Sequence, residues 1–432
     1  MTKQPTAPRN AWWWIPTLYF GQGIPYVVVM TLSVILYKNL AISNTDIALY
    51  TSWLYLPWVI KPLWSPVVDM FRTKRFWIVI LQFVIGASLA LVALTLPMPM
   101  FFQVTLAVFW LMAFSSATHD IAADGFYMLA LPEHEQAAFV GVRSTCYRIA
   151  MIAGQGGLVF IAGKLSENTG NVTLAWSIVF FILAGLFFTL FIYHRFVLPE
   201  PVADQPARQD FDVVKGFQET FSTFFKRPDI WRILAFLMLF RFGEAQALKL
   251  VTPFLLDPAS KGGLGLGTSD VGLVYGIVGA IALTVGGLLG GYVISRNGLR
   301  HWLWPMLLAV HLPNIAFVYL AFVLPQNIFL VAAAIAVEQF GYGFGFAAYL
   351  LFMIMVAGSG SDGKHKTAHY AICTGFMALG MMLPGMASGW IQEQLGYQNF
   401  FIWVCIATLP SLVATAFIKV DPQFGRKSEQ PT

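Results

Sequence analysis

The sequence predicts an all-α, polytopic membrane protein with twelve transmembrane helices in two six-helix halves. Three observations carry that reading. Of 432 residues, 58% are hydrophobic and only 11% charged, against about 25% charged in an ordinary soluble domain. Mean hydropathy is +0.69. Apolar runs long enough to span a bilayer recur along the whole chain, with one polar stretch midway. So little charge cannot keep a 48.0 kDa surface wetted, which argues against a soluble enzyme, a disordered chain or a nucleic-acid binder. The net charge of +5 does not point to nucleic acid either, because the basic residues sit in short loops between apolar runs.

A spanning helix needs about 20 mostly apolar residues. The first run, 11–37, follows Lys3 and Arg9 without a small-residue cleavage site, so it reads as a retained anchor and not a signal peptide. Its Trp12, Trp13 and Trp14 read as an interfacial belt. Gly21, Gly23 and Pro25 loosen the same helix at mid-depth, which makes Tyr19, Gln22 and Tyr26 candidate solute contacts; the alternative is a packing kink. Spans 2 to 6 follow at 45–68, 76–96, 101–130, 137–162 and 173–196. A proline-containing polar linker occupies 198–229, and spans 7 to 12 run at 230–256, 269–294, 302–324, 327–357, 367–392 and 398–419. The expected organisation is an N-terminal bundle over 1–197, a cytoplasmic linker over 198–229 and a C-terminal bundle over 230–432.

The halves echo each other. Span 2 opens on Asn44-Thr45-Asp46 and span 8 on Thr268-Ser269-Asp270, each placing a capping residue and an Asp where the helix dipole favours them. Each is followed one span later by a basic loop, Arg72 to Arg75 and Arg296 to Arg300. Orientation comes from the loop Lys and Arg residues: with the N-terminus inside, seventeen lie on the cytoplasmic side and only Lys38, Lys164 and Lys261 outside. Both termini are therefore expected in the cytoplasm. Cys146, Cys373 and Cys405 lie in apolar segments at no metal-binding spacing, so no metal or other cofactor is expected.

Ionisable residues inside spans cost roughly 2.5–3.5 kcal/mol each on insertion scales and need a partner, a cavity or a function. Spans 4 and 5 form a hairpin with its tip near His134. Asp124 and Arg143 are ten and nine residues from that tip, and Asp120 and Arg148 are both fourteen away. At 1.5 Å rise per residue the expected pairs are Asp124–Arg143 and Asp120–Arg148, either a locked scaffold or part of a solute and proton site. Arg241 and Glu244 share one face of span 7 near mid-membrane. Glu338 lies equally deep in span 10, within a Gly- and Tyr-rich run that includes Gln339 and Tyr342 and reads as a bending wall against polar cargo. The inert alternatives are Arg241–Glu244 and Arg241–Glu338 pairs. A separate reading takes His119 and Asp124, at H-x4-D spacing, as an acyltransferase pair, but no second catalytic block accompanies them.

The blocks Gly21–Tyr26, Lys61–Asp69, Ser115–Asp124 and Phe240–Ala245 resemble the AmpG-type muropeptide permeases, in the peptide–acetyl-coenzyme A transporter branch of the major facilitator superfamily. The resemblance implies two pseudo-symmetric six-helix bundles, a central cavity and proton-driven uptake into the cytoplasm across a bacterial inner membrane. It also implies a gating latch at Asp69, Arg72 and Arg75. Members of that group usually follow the second Asp of span 4 with an aromatic, a base and an acid, where this chain has the uncharged run Gly125 to Leu129. Siderophore and acyl-coenzyme A cargo stay open for that reason. The expected function is a monomeric secondary transporter, not an enzyme, importing a small polar solute with protons. Gln22, Tyr19, Tyr26, Arg148, Arg241, Gln339 and Tyr342 are its candidate solute contacts, and Asp120, Asp124, Glu244 and Glu338 its candidate proton carriers.

Overall fold

The computed structural model describes residues 10–202, 204–205, 212–359 and 366–425, and their regular structure is helical throughout. Nine helices among the described residues are long and apolar enough to cross a membrane. One of them, Ala368–Phe417, has 50 residues, more than twice what one crossing takes. It turns at Gly396, whose φ of 70° lies in the left-handed region that glycine enters without a Cβ penalty, and is therefore two passes. Two further passes are interrupted helices. Span 2 comprises Asn44–Trp53 and Leu56–Phe71; Pro57 cannot continue the first helix because its ring meets the Trp53 carbonyl. Span 7 comprises Ile230–Leu239 and Phe242–Leu256, broken at Arg241, next to the point where Gly243 lies against the Val404 carbonyl. Among the described residues the count is twelve passes.

Local departures follow the glycines and prolines. Span 1 starts as a short 3-10 turn capped by the Asn10 side chain, runs as α-helix through Pro25 to Val27, and takes a π turn over Val28–Leu32. Similar π segments cover Ala153–Leu158 in span 5 and Gly272–Gly279 in span 8. Trp12 and Trp13 are exposed as an interfacial belt requires, but Trp14 is fully buried in the core. The matching helix starts differ from expectation. Ser43 caps span 2 by accepting from the Asp46 N–H, whereas span 8 begins after Gly267 with no side-chain cap.

Packing divides the chain into two units. The first holds Met1–Leu40 and Ile60–Val213, the second Ala41–Val59 and Val214–Thr432. Trp14, Ile15, Leu18, Ile78 and Phe126 centre the core of the first unit. Phe254, Phe317, Phe400 and Phe401 form one core of the second, and Phe236, Phe240, Tyr349 and Phe352 another. Ala41–Val59 falls in the first half of the sequence yet packs with the second unit. Its helix runs against span 11, where Gly389 has no Cβ to meet the Asn44 carbonyl, and Asn44 donates to Gln392 at 2.7 Å and to the Tyr397 hydroxyl at 2.9 Å. In the linker, Asp204 accepts from the Lys74 and Arg75 N–H groups that open span 3, at 2.6 and 3.0 Å. The linker also forms a helix, Asp212–Phe225, whose Phe224 is buried in the second unit.

Candidate functional site

Polar chemistry gathers in each unit separately. In the first unit, Arg143 donates to Asp124 at 2.7 Å, the pairing expected from the hairpin register. The guanidinium lies 4.5 Å from the Tyr19 ring and 5.0 Å from the Tyr127 ring, and the Tyr19 hydroxyl donates to the same carboxylate oxygen at 3.4 Å. Two edge-to-face rings, with centroids 6.0 Å apart, and a carboxylate hold the cation in one orientation.

Asp120 does not pair with Arg148. Its carboxylate meets Lys61 of span 2 at 3.7 Å, and no described ion pair includes Arg148, which is half-buried. Arg148 is five residues beyond Arg143 and so about 140° round the helix at 100° per residue. Both arginines cannot face span 4.

A buried polar chain accompanies this centre and was not anticipated. Gln82 of span 3 contacts His119 Nε2 at 3.2 Å through its amide nitrogen and His194 Nδ1 at 3.0 Å through its oxygen. His194 Nε2 then meets Thr17 at 2.9 Å. The amide donates to His119 and accepts from His194, which sets both ring tautomers and ties spans 1, 3, 4 and 6 together. The signal in the sequence was a Gln and a His in otherwise apolar spans. His119 is spent here and makes no described bond to Asp124, which lies about 140° away on the helix. The acyltransferase reading loses its base–orienter contact.

In the second unit, Arg241 forms a two-pronged pair with Glu244, at 2.5 and 2.8 Å, with both side chains buried. This resolves the open choice in favour of Glu244 over Glu338. The guanidinium also lies 4.9 Å from the Tyr342 ring and 5.0 Å from Phe346. Glu338 is buried and accepts from Gln339 at 2.8 Å, with no cation in its described contacts. Span 10 is one continuous helix over Ile328–Gly358. A Cβ at Gly343 would overlap the Leu283 carbonyl of span 8, and one at Gly341 the Ala309 carbonyl of span 9. These glycines serve close helix packing.

Of the remaining candidates, Gln22 is buried with Oε1 unpartnered among the described residues, and Tyr26 is half-buried. Arg75 donates to the Arg195 carbonyl at 2.5 Å and pairs with Glu200 at 3.2 Å, while Arg72 lies over Phe76. The Asp69 side chain, the third member of the expected latch, lies outside the described residues. Lys249, also missed, is buried in span 7 with Nζ 3.0 Å from Thr51 Oγ1.

Twelve passes with charged pairs and rings held inside them describe a polytopic membrane protein. The Major Facilitator Superfamily model matches residues 17–364, and the chain belongs to that family. It is 25% identical to the anhydromuropeptide permease of Escherichia coli K12 over 95% of this chain and 80% of that protein. It is 24% identical to a putative transporter, AmpG 4, of Rickettsia conorii, over 92% of this chain and 93% of that one. Among solved structures, a variant of the nucleoside transporter NupG aligns with a TM-score of 0.71 at 16% identity, covering 94% of this chain and 99% of that one.

Proposed function

We propose that the protein imports a muropeptide-like solute, an anhydro-sugar peptide, by proton symport and alternating access. The two sequence halves, 1–197 and 230–432, act as the bundles and 198–229 as the link between them. The reading further assigns the protein to a bacterial inner membrane as a monomer with both termini in the cytoplasm. The observation that carries it is similarity to the anhydromuropeptide permease along 95% of the chain, in a protein whose spans hold Arg241 at an aromatic face. An arginine held by one carboxylate, with the Tyr342 and Phe346 rings together on one side of it, offers a cation and ring faces to a sugar peptide.

Glu338 is the proton carrier in this reading. Protonating Glu244, Asp124 or Asp120 would strand a cation already paired with it, whereas Glu338 has no described cation to strand. Asp69, Arg72 and Arg75 act as the gating latch. The test is uptake of labelled anhydro-muropeptide into proteoliposomes under an imposed pH gradient, with a siderophore and an acyl-coenzyme A in parallel. The expected result is accumulation of the muropeptide that a protonophore abolishes. Glu338→Gln should lose gradient-driven accumulation and keep solute exchange. Uptake undiminished by the protonophore removes proton coupling, and uptake of either other cargo alone removes the muropeptide reading.

A further inference from the structure

Lys249 occupies a site that the proposed mechanism leaves unused. It is 5% exposed, and none of the described ion pairs includes it. Its ammonium has one described hydrogen bond, to Thr51 Oγ1 at 3.0 Å, and lies 5.1 Å from the Tyr55 ring. The Thr51 hydroxyl spends its own proton on the Ile47 carbonyl at 2.6 Å, so it can only accept from Lys249. Two of the three ammonium protons are left over. Ser52, next to Thr51 in the chain and fully buried, has a hydroxyl with no partner among the described residues.

Gly385 of span 11 brings these groups to one spot. A Cβ there would lie 2.8 Å from Ser52 Oγ and 3.3 Å from Lys249 Cγ. All four residues belong to the second unit. An ammonium with no counter-ion is among the most expensive groups to keep inside a membrane protein, and leaving a hydroxyl unpartnered beside it adds to the cost. A carboxylate resolves both, since it accepts from several donors at once and supplies the missing charge.

We propose that Lys249 and Ser52, beside Thr51 and Gly385, form a subsite for a carboxylate of the transported solute. The proposal rests on the muropeptide-like reading, because a sugar peptide carries at least the carboxylate at its peptide end. Arg241 and the rings above it then serve a different part of the solute.

The experiment compares two labelled anhydro-sugar peptides in exchange across proteoliposomes holding the full-length protein: one with a free terminal carboxylate, the other with that carboxylate amidated. A charge-assisted hydrogen bond corresponds to roughly 10–100-fold in affinity, so the wild-type protein should favour the acid in KM by about that factor. In Lys249→Met the ratio of acid to amide should fall to about one, in Ser52→Ala it should fall part of the way, and Lys249→Arg should keep most of it. A preference for the acid that survives in Lys249→Met overturns the subsite, as does a wild-type protein that takes up both forms alike. Should the wild-type protein take up neither, the muropeptide reading falls and the subsite is judged by melting in detergent with acetyl-alanine against acetyl-alanine amide. Stabilisation by the acid alone, lost in Lys249→Met and kept in Lys249→Arg, upholds it; equal or absent stabilisation overturns it.

Discussion

Arg241 and Glu244 are buried together, and that makes them unequal partners to remove. Arg241→Met leaves a carboxylate with no cation in apolar surroundings, and breaking a buried pair in this way costs about 3–5 kcal/mol. Melting of the purified protein should register that loss. The double change Arg241→Met with Glu244→Leu should recover most of the stability and none of the uptake, which separates structural from transport roles. The Asp124–Arg143 pair is different, since its side chains are 40% and 28% exposed. Asp124→Asn should cost only about 0–1 kcal/mol in the same assay, with the Tyr19 and Tyr127 rings still holding the arginine. The Asp124 pair was legible in the sequence because a hairpin equates distance from the tip with depth. Asp120 was not, because its partner Lys61 comes from another span and depth says nothing about which way a side chain points.

At the scale of the helix, the same residue types did different work in different places. Pro57 ends the first helix of span 2 at Trp53, while Pro25 stays inside span 1 and a π turn follows it. The glycines of span 10 read as points of bending from sequence, and in the structure Gly341 and Gly343 let two neighbouring backbones approach. Gly343→Val should therefore push spans 8 and 10 apart and cost about 1–3 kcal/mol or more as overpacking, read as a lower melting temperature and poorer recovery from the membrane. The same change at Gly291, which has open space around it, should be nearly silent by that assay. Glycine in a membrane helix loosens it or seats a neighbour against it, and composition does not distinguish the two. The broken helix of span 7 was equally hidden, since no proline or glycine sits at Phe240 or Arg241.

For the whole chain, the excess of loop Lys and Arg on one side makes a topology that can be measured. A green fluorescent protein fused after Lys419 should fluoresce, and alkaline phosphatase fused near Lys164 or Lys261 should be active; the reverse pattern overturns the orientation. The number of passes, their limits to within a few residues and the Asp124–Arg143 pair could all be read from residue order. Each depends on a quantity measured along the chain: the length of an apolar run, the spacing of charges, the distance from a turn. Other features required the helices to be assembled. These include the Lys61–Asp120 contact, the Gln82–His119–His194 chain, the packing of Ala41–Val59 with the second unit, and Lys249 with no counter-ion among the described residues, near Ser52 and Gly385. They depend on the rotation of each helix about its axis and on how closely two backbones approach. Residues far apart in the chain settle both when they come to share the same space.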